Sequence, residues 1–585
     1  MHDLVIRGGT VLDGTGSEAQ TADVAFQDGI VTEVGRVDGP ARTADVAITD
    51  GIVTEVGHVD GPARRTLDAD GLLVTPGFVD VHVHYDGQAT WDDRLIPSSW
   101  HGVTTVVAGN CGVGFAPVRP ADHQRLIELM EGVEDIPGAA LHEGLPWNWK
   151  TFPEFLDSLD GRPYDVDVAT QVPHGALRLH VMGERGAARE DATPEDIEQM
   201  ARIAAEGISA GALGFSTSRT MNHRSSNGEL TPTLTASYDE LVGIAKAVGA
   251  TGTGVLQVVS DFGDVDAEFG LFRAMSVESG RPLSFSLADP FGKLYPRLLE
   301  LLEEANADGV AMKGQTAARA IGILMGLQCT LHPFLGNPVF GEIAALPVAE
   351  QAKAMHDPSF TERLLAEAAR APGMLSAWDR MFELGDPPDY EPYPSTSLYA
   401  RAMREGKGPA ELALEVLRAD DGKTFLYLPF LNWIDQRLDA VGEMLAHEHT
   451  VPGLSDGGAH VGTICDASFP TTLLSMWGRD RAEGRLPVEY LVKQHTSDTA
   501  RLVGLHDRGV LAPGYRGDCN LIDFEHLQVR RPEMHHDLPA GGRRLLQRAD
   551  GYVATVKAGQ VTYERGEPTD ALPGRLLRGA RSAPS

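Results

Sequence analysis

Two histidines separated by one residue mark the stretch of this sequence best suited to chemistry. His82 and His84 end an apolar segment, residues 78–84, which begins after a Pro-Gly pair and which we predict to be a buried β-strand. Alternate residues of a strand point to the same side, so the two imidazoles could bind one divalent metal ion. The alternative is a chance alternation of histidine with valine. The segment continues into Tyr85 and Asp86, two polar candidates for substrate contact.

Two further predicted strands end in residues that could complete a metal site. Cys111 lies in Gly109-Asn-Cys-Gly112, where a thiolate could bind the metal or a small thiol could fill a tight turn. Asp456 lies in Ser455-Asp-Gly-Gly458 and could be a ligand, a general base, both, or the cap of an Asx turn. Other strand ends and their loops supply more polar candidates for substrate contact or for completing the site, namely His174, His223, Gln257, Lys313, Gln315 and His460.

Composition limits the classes of partner. The chain has 585 residues and a formal net charge of −33, which argues against nucleic acid and anionic membranes as partners. No apolar run has membrane-spanning length, and the first residues lack the pattern of a signal peptide. The four cysteines are widely spaced, so we expect no disulfide framework. We therefore expect a cytoplasmic protein that acts on a small molecule, and we expect a homo-oligomer.

The pattern of elements predicts two kinds of architecture in one chain. Residues 1–75 and 510–585 are rich in short β segments, and residues 21–42 and 43–64 are tandem copies of one 22-residue unit. Between them, residues 76–509 alternate short apolar strands with helices, such as those beginning at the capping sequences Thr193-Pro-Glu-Asp196 and Ser237-Tyr-Asp-Glu240. The pattern predicts an α/β fold, a (β/α)8 barrel whose strands are 78–84, 103–110, 167–173, 210–216, 254–259, 282–287, 308–313 and 450–455. Residues 329–445 are too long for one crossover and are predicted to form an insertion or lid.

As a set, these motifs resemble the amidohydrolase superfamily, and within it the N-acyl-D-amino-acid deacylase (D-aminoacylase) group. The resemblance is carried by Pro76–Gln88, Gly109–Gly112, Gly211–Thr217, Ser455–Gly457 and the closing run 500–518. It implies a metal-dependent TIM-like barrel, a small urease-like β-sandwich built from both chain ends, and hydrolysis of the amide bond of an N-acyl-D-amino acid. It also implies histidine ligands on the fifth and sixth strands. Here Gln257 stands near the first of these positions, and the sixth strand, 282–287, contains no histidine.

We therefore predict one Zn²⁺ ion, with other divalent metals as alternatives, bound by His82, His84, Asp456 and Cys111. Asp456 is predicted to act as the general base and acid in hydrolysis of an N-acyl-D-amino acid or related amide by a metal-activated water. Two alternatives remain open. The first is a hydantoinase-like hydrolase of cyclic amides or imides with the same barrel and metal. The second is a degenerate, non-catalytic relative that acts as a binding or scaffold protein.

Overall fold

The barrel predicted from the sequence is present as a curled sheet of eight parallel strands. The computed structural model describes residues 2–21, 24–25, 33–34, 45–49, 52–57, 63–370 and 376–584. The eight strands pair in sequence order, each with the next. Numbered β1 to β8, they are Phe78–Asp80, Val103–Ala108, Asp167–Pro173, Gly214–Arg219, Val255–Ser260, Leu283–Ser286, Met312–Thr316 and Thr450–Pro452.

The first and last strands are joined just beyond their carboxyl ends. Val83 and Gly457 form a parallel bridge. The amide of His84 donates to the carbonyl of Gly457 at 2.8 Å, and the amide of Asp456 donates to the carbonyl of His82 at 3.1 Å. These bonds bring the first and last predicted site segments side by side, as expected for a barrel whose chemistry lies at the carboxyl ends of its strands.

Two strands begin later than the sequence pattern predicted. Strand β4 begins at Gly214 rather than residue 210, because Ala210 is the last residue of a helix and Gly211 follows it with a φ of 124°. Strand β7 begins at Met312 rather than 308, because Asp308 still caps the preceding helix and Gly309 turns the chain with a φ of 78°. Both glycines terminate helices in conformations that L-residues rarely adopt.

Helices cover the outer face of the sheet and are well capped. Thr193 forms the predicted capping box with Asp196. At Ser237 only half of the predicted box forms: the hydroxyl accepts from the amide of Glu240, while the Glu240 carboxylate is buried against other residues. The helices, α1 to α18, are His123–Glu134, Gly138–Gly144, Phe152–Asp160, His174–Met182, Glu184–Ala187, Pro194–Ala210, Tyr238–Ala250, Val265–Ser279, Tyr295–Ala307, Pro338–Gly341, Val348–Ala354, Pro358–Arg370, Leu398–Glu405, Pro409–Leu417, Asp439–Ala446, Phe469–Thr472, Val488–Lys493 and Thr499–Leu502. None of the helices in the described ranges is both long and apolar enough to cross a membrane.

The long segment between β7 and β8 has a core of its own. Helices α10 to α14 pack on a three-stranded antiparallel sheet of Ile321–Met325, Leu426–Leu431 and Phe382–Glu383. Buried side chains such as Phe334, Leu364 and Leu412 fill the space between them. This cluster is separate from the main hydrophobic cluster of the barrel.

Strands from the two ends of the chain share one seven-stranded sheet. It consists, in spatial order, of Glu567–Pro568, Gln560–Glu564, Tyr552–Lys557, Cys519–Ile522, Leu73–Pro76, Thr10–Val11 and Gln20–Thr21. A six-stranded sheet contains His2–Arg7, Ala63–Asp68 and four strands from the two 22-residue copies, Val24–Ala25, Glu33–Val34, Asp45–Thr49 and Ile52–Gly57. Apart from these four strands and the end residues 21, 63 and 64, the duplication lies outside the described residues. The sandwich arrangement remains a prediction.

A buried charge cluster ties the C-terminal sheet to the barrel. The Lys557 ammonium donates to Asp167 at 2.7 Å and to Asp518 at 2.8 Å, and Arg508 donates to the same Asp167 oxygen at 2.7 Å. All four side chains are almost fully buried. Burial alone would raise the pKa of Asp167, but Lys557 and Arg508 hold it well below its usual value.

Glu533–Leu538 and Gly542–Leu546 form a hairpin that is separate from both sheets. It lies beside the loop that follows strand β8. The amide of Leu545 donates to the carbonyl of Val461 at 2.6 Å. This bond attaches the C-terminal hairpin to the loop that follows Asp456. Part of the predicted C-terminal β region therefore contacts the neighbourhood of the site.

Candidate metal centre

Four predicted ligands meet in one place beyond the carboxyl ends of β1, β2 and β8. The Sγ of Cys111 lies 3.3 Å from Nε2 of His82. Oδ1 of Asp456 lies 3.4 Å from Nε2 of His82 and 3.6 Å from Nε2 of His84. Donor atoms of His82, His84 and Cys111 all lie within 4.8 Å of one another. The structure thus brings together residues that are up to 374 positions apart in the sequence.

The three measured separations have the size expected between neighbouring ligands of one zinc ion. Zinc binds imidazole nitrogen, carboxylate oxygen and thiolate sulfur at about 2.0–2.3 Å, which places neighbouring donors of a tetrahedron about 3.3–3.6 Å apart. The three measured contacts among His82, His84, Cys111 and Asp456 span 3.3–3.6 Å. A mixed nitrogen, sulfur and oxygen donor set of this kind is typical of zinc among the biological divalent ions.

An acceptor oxygen lies next to the outer nitrogen of each histidine. Nδ1–H of His82 donates to Oε1 of Gln315 at 2.6 Å, and the amide nitrogen of Gln315 donates in turn to Ser284 at 2.9 Å. Nδ1 of His84 lies 3.3 Å from Oε1 of Glu134. With Nδ1 protonated, the lone pair of each ring lies on Nε2, the atom that faces Asp456.

Burial and charge set the protonation states in the absence of an ion. Burial lowers the pKa of His82 to about 4, so its ring is neutral and able to bind a metal at pH 7. Burial lowers the pKa of His84, but the Glu134 charge overcomes this and raises it well above the usual value. Burial raises the pKa of the Cys111 thiol to about 12, against the opposing effect of His84. A thiolate at neutral pH therefore requires a nearby cation, which a bound metal provides.

The turns that carry the ligands are held in an unusual conformation. Cys111, Asp456 and His460 have φ values of 55°, 48° and 48°, in the left-handed region that non-glycine residues seldom adopt. A β-carbon on Gly109 would lie 2.3 Å from the carbonyl oxygen of Gln171, so that position requires glycine. Such strain is characteristic of functional sites and persists because the surrounding structure fixes it.

Three more of the predicted polar residues lie at this site. Gln257 accepts from the amide of Cys111 at 3.0 Å, and its buried Nε2 has no hydrogen-bond partner among the described residues. Nδ1 of His223 pairs with the hydroxyl of Ser218 at 2.9 Å. Burial, together with the neighbouring His460 and His84, lowers the pKa of His223 to about 3. Asp86 is buried close to His84, and burial raises its pKa to about 7.

The polar groups of three other predicted residues, His174, Tyr85 and Lys313, are hydrogen-bonded within the protein. His174 uses both ring nitrogens, on Thr217 at 2.8 Å and on the buried Glu240 at 2.9 Å. The Tyr85 hydroxyl pairs with Ser98 at 2.8 Å. Lys313 lies near the start of β7 and donates to the carbonyl of Glu448 at 2.7 Å. The structure brings none of these three polar groups into hydrogen-bond contact with the four-ligand cluster.

Sequence reasoning missed Glu134, the last residue of α1. Its side chain is 1% exposed, and neither carboxylate oxygen has a hydrogen-bond partner within the described chain. The nearest basic side chains are those of His84 at 3.3 Å and His460 at 3.5 Å. No local pattern marks it, because an acidic residue at the end of an amphipathic helix is usually solvated.

The chain is similar to known proteins in sequence and in fold. The sequence profile described as "Amidohydrolase family" matches residues 65–563. The chain is 25% identical over 550 residues to a D-aminoacylase of Alcaligenes xylosoxydans xylosoxydans, covering 91% of this chain and 92% of the relative. A solved D-aminoacylase, described as having a binuclear metal centre, superposes with a TM-score of 0.64 at 23% identity, covering 99% of this chain and 100% of that one. An N-acyl-D-glutamate deacylase from Bordetella bronchiseptica, solved with zinc and a phosphonate inhibitor, gives 0.63 at 22% identity, covering 99% of both chains.

Proposed function

The chain belongs to the amidohydrolase family and is a hydrolase of carbon–nitrogen amide bonds, and we propose that it removes the acyl group from an N-acyl-D-amino acid at a single zinc ion. The observation that carries the proposal is the cluster of His82, His84, Cys111 and Asp456, with donor contacts of 3.3–3.6 Å. The chemistry named for the D-aminoacylase relative supports the choice of substrate class.

Zinc bound by His82, His84 and Cys111 would keep a coordination position open for water. It would lower the pKa of that water and supply a Lewis-acid contact for the amide oxygen. Asp456 is placed to take the proton of the attacking water and to return it to the leaving nitrogen. In this hydrolysis the carbonyl carbon gains a bond to the water oxygen and loses its bond to nitrogen. The products are a carboxylic acid and a free amine.

Gln257 is suited to hold the amide oxygen of the substrate. Its Oε1 is fixed by the Cys111 amide, so its Nε2 is a buried donor that the described residues leave unpaired. A preorganised donor of this kind stabilises the negative charge that develops on oxygen in the transition state. Gln257 stands where the resemblance implied a histidine ligand, so we infer that the second metal position is replaced by a neutral donor.

We propose Arg543 as the cation that binds the carboxylate of an N-acyl amino acid. It lies on the C-terminal hairpin, two residues before Leu545, and alternate residues of a strand share a face. Leu545 packs with Cys329 and Cys465 beside the loop after Asp456. Burial raises the pKa of the Cys329 thiol to about 12, and the charge of Arg543 acts against that rise. Within the described part of the chain, the guanidinium forms no hydrogen bond or ion pair.

The proposal is tested by metal analysis and a substrate screen on the same protein. We expect about one zinc per chain in the wild type and none in His82→Ala/His84→Ala, together with release of amine from N-acetyl-D-amino acids and not from their L-enantiomers. Arg543→Met should raise KM for N-acetyl-D-amino acids while leaving KM for the matching carboxamides unchanged. Ring opening of hydantoins without amine release would favour the cyclic-amide alternative. Absence of metal after chelator-free purification would favour the scaffold alternative.

A further inference from the structure

We propose that Glu134 is a positioning residue for the metal centre, which orients His84 directly and the loop of His460 at the same time. This inference rests on the proposed function, because it takes His84 to be a metal ligand. The proposal rests on the contacts of the buried Glu134 carboxylate with two histidine rings, those of His84 and His460.

The first step is the match between the two histidine ligands. His82 and His84 present Nε2 to the same Asp456 oxygen, at 3.4 and 3.6 Å. The Nδ1 of His82 is held by the Gln315 amide oxygen at 2.6 Å, and the Nδ1 of His84 faces Glu134 at 3.3 Å. An acceptor oxygen therefore lies next to Nδ1 of each ring. An acceptor in this position fixes both the tautomer and the ring plane of a metal-bound histidine.

The second step concerns the hydrogen bonding of the Glu134 carboxylate. Both oxygens are buried, and neither forms a hydrogen bond that meets geometric criteria there. Leaving a buried carboxylate without a partner destabilises a fold, so a structural role alone does not account for it. His84 Nδ1 is likewise a buried atom without a satisfied hydrogen bond. The two atoms face each other at 3.3 Å, which is within reach of a hydrogen bond once the ring turns to bind an ion.

The third step concerns the other carboxylate oxygen, which lies 3.5 Å from Nε2 of His460. The amide of His460 also donates to the backbone carbonyl of Glu134. One residue further, the Asp135 carboxylate accepts from the amide of Gly462 at 3.2 Å and from Thr330. The end of α1 is therefore attached to the loop that begins at Asp456. Of Glu134 and Asp135, Glu134 is the one that also lies next to His84.

The experiment measures the zinc dissociation constant of metal-free protein by competition with a chromophoric chelator. Four proteins are compared: the wild type, Glu134→Gln, Glu134→Ala and Asp135→Asn. Loss of the acceptor behind a metal-bound histidine weakens metal binding about 10–100-fold, so Glu134→Ala should fall in that range. Glu134→Gln should lose less, because one amide oxygen can still accept from His84 as Gln315 does from His82. Asp135→Asn is the matched control at the same helix end and should bind zinc within about twofold of the wild type.

The cobalt(II) absorption spectrum of the same proteins provides a second readout, because the ligand-field bands report ring orientation at the ion. We expect the bands to shift in both Glu134 variants and to stay unchanged in Asp135→Asn. Circular dichroism establishes that each variant is folded, and Glu134→Gln serves if the alanine variant fails to fold. Folded Glu134 variants with wild-type zinc affinity and cobalt spectra would overturn the inference alone. A wild type that binds no zinc would overturn the proposed function as well.

Discussion

The sharpest prediction concerns Asp456→Asn, which removes the proposed base while preserving the shape of the side chain. Asp456 has a φ of 48° and contacts both histidine ligands through one oxygen, at 3.4 and 3.6 Å. Asparagine tolerates the left-handed conformation better than most residues, so the turn should persist. His82, His84 and Cys111 remain as donors. We therefore expect most of the zinc to stay bound and the turnover to be lost.

The expected loss of turnover follows from the proposed role of Asp456 as general base. A positioned general base contributes about 10²–10⁴-fold to a rate, which corresponds to about 2.7–5.5 kcal/mol of barrier. The assay is kcat for amine release from an N-acetyl-D-amino acid, with zinc per chain measured on the same sample. If the variant binds zinc weakly, the assay is repeated at saturating zinc, which separates the base from the ligand role. A zinc-loaded variant that keeps more than about a tenth of wild-type kcat would refute the assignment.

Three further predictions address the donor, the buried cluster and the histidine that lies away from the site. Gln257→Leu should lower kcat about 10²–10³-fold, because one oxyanion donor is worth that much, while zinc content stays unchanged; equal loss of zinc would instead show a structural role. Lys557→Met removes one of the cations that neutralise the buried carboxylates of Asp167 and Asp518 and should lower the free energy of unfolding by about 3–5 kcal/mol at pH 7, measured by denaturant titration. Because Lys557 and Arg508 depress the folded pKa of Asp167, the difference should be full above about pH 5 and shrink as pH falls below the unfolded value of about 3.9; a difference that grows in acid would contradict this. His174→Leu should lower stability without changing KM or zinc content, since both ring nitrogens are occupied by Thr217 and Glu240.

The eight parallel strands, and the candidate metal-binding residues that lie in short motifs, could be predicted from the sequence. His82 and His84 follow an apolar strand at a spacing of two, and this pattern alone places both rings on one side. Cys111 and Asp456 are recognisable because glycines flank them in tight turns after predicted strands. Each of these signals is contained within a few residues, so the rest of the fold is not needed to read it.

Residues defined by register or by distant partners could not be predicted in this way. Lys313 was placed at the carboxyl end of β7 because the predicted strand began four residues too early, at 308 rather than Met312. With the correct start, Gln315 is the residue of this pair that reaches the site, where it holds His82. Glu134 reaches the site only because α1 ends against the loop of His460, a contact between segments 326 positions apart.

The arrangement also bears on the alternative of a scaffold that has lost its chemistry. Asp80 and Asp86 are fully buried beside the cluster, and burial raises the pKa of each to about 7. Glu134 adds a carboxylate without hydrogen bonds, and two of the four predicted ligands sit in left-handed turns. A buried carboxylate without a partner and a left-handed non-glycine residue each lower stability by about 1–3 kcal/mol. A protein that served only as a scaffold would gain nothing from retaining them, whereas a divalent cation at the centre would offset the negative charge of all these groups together.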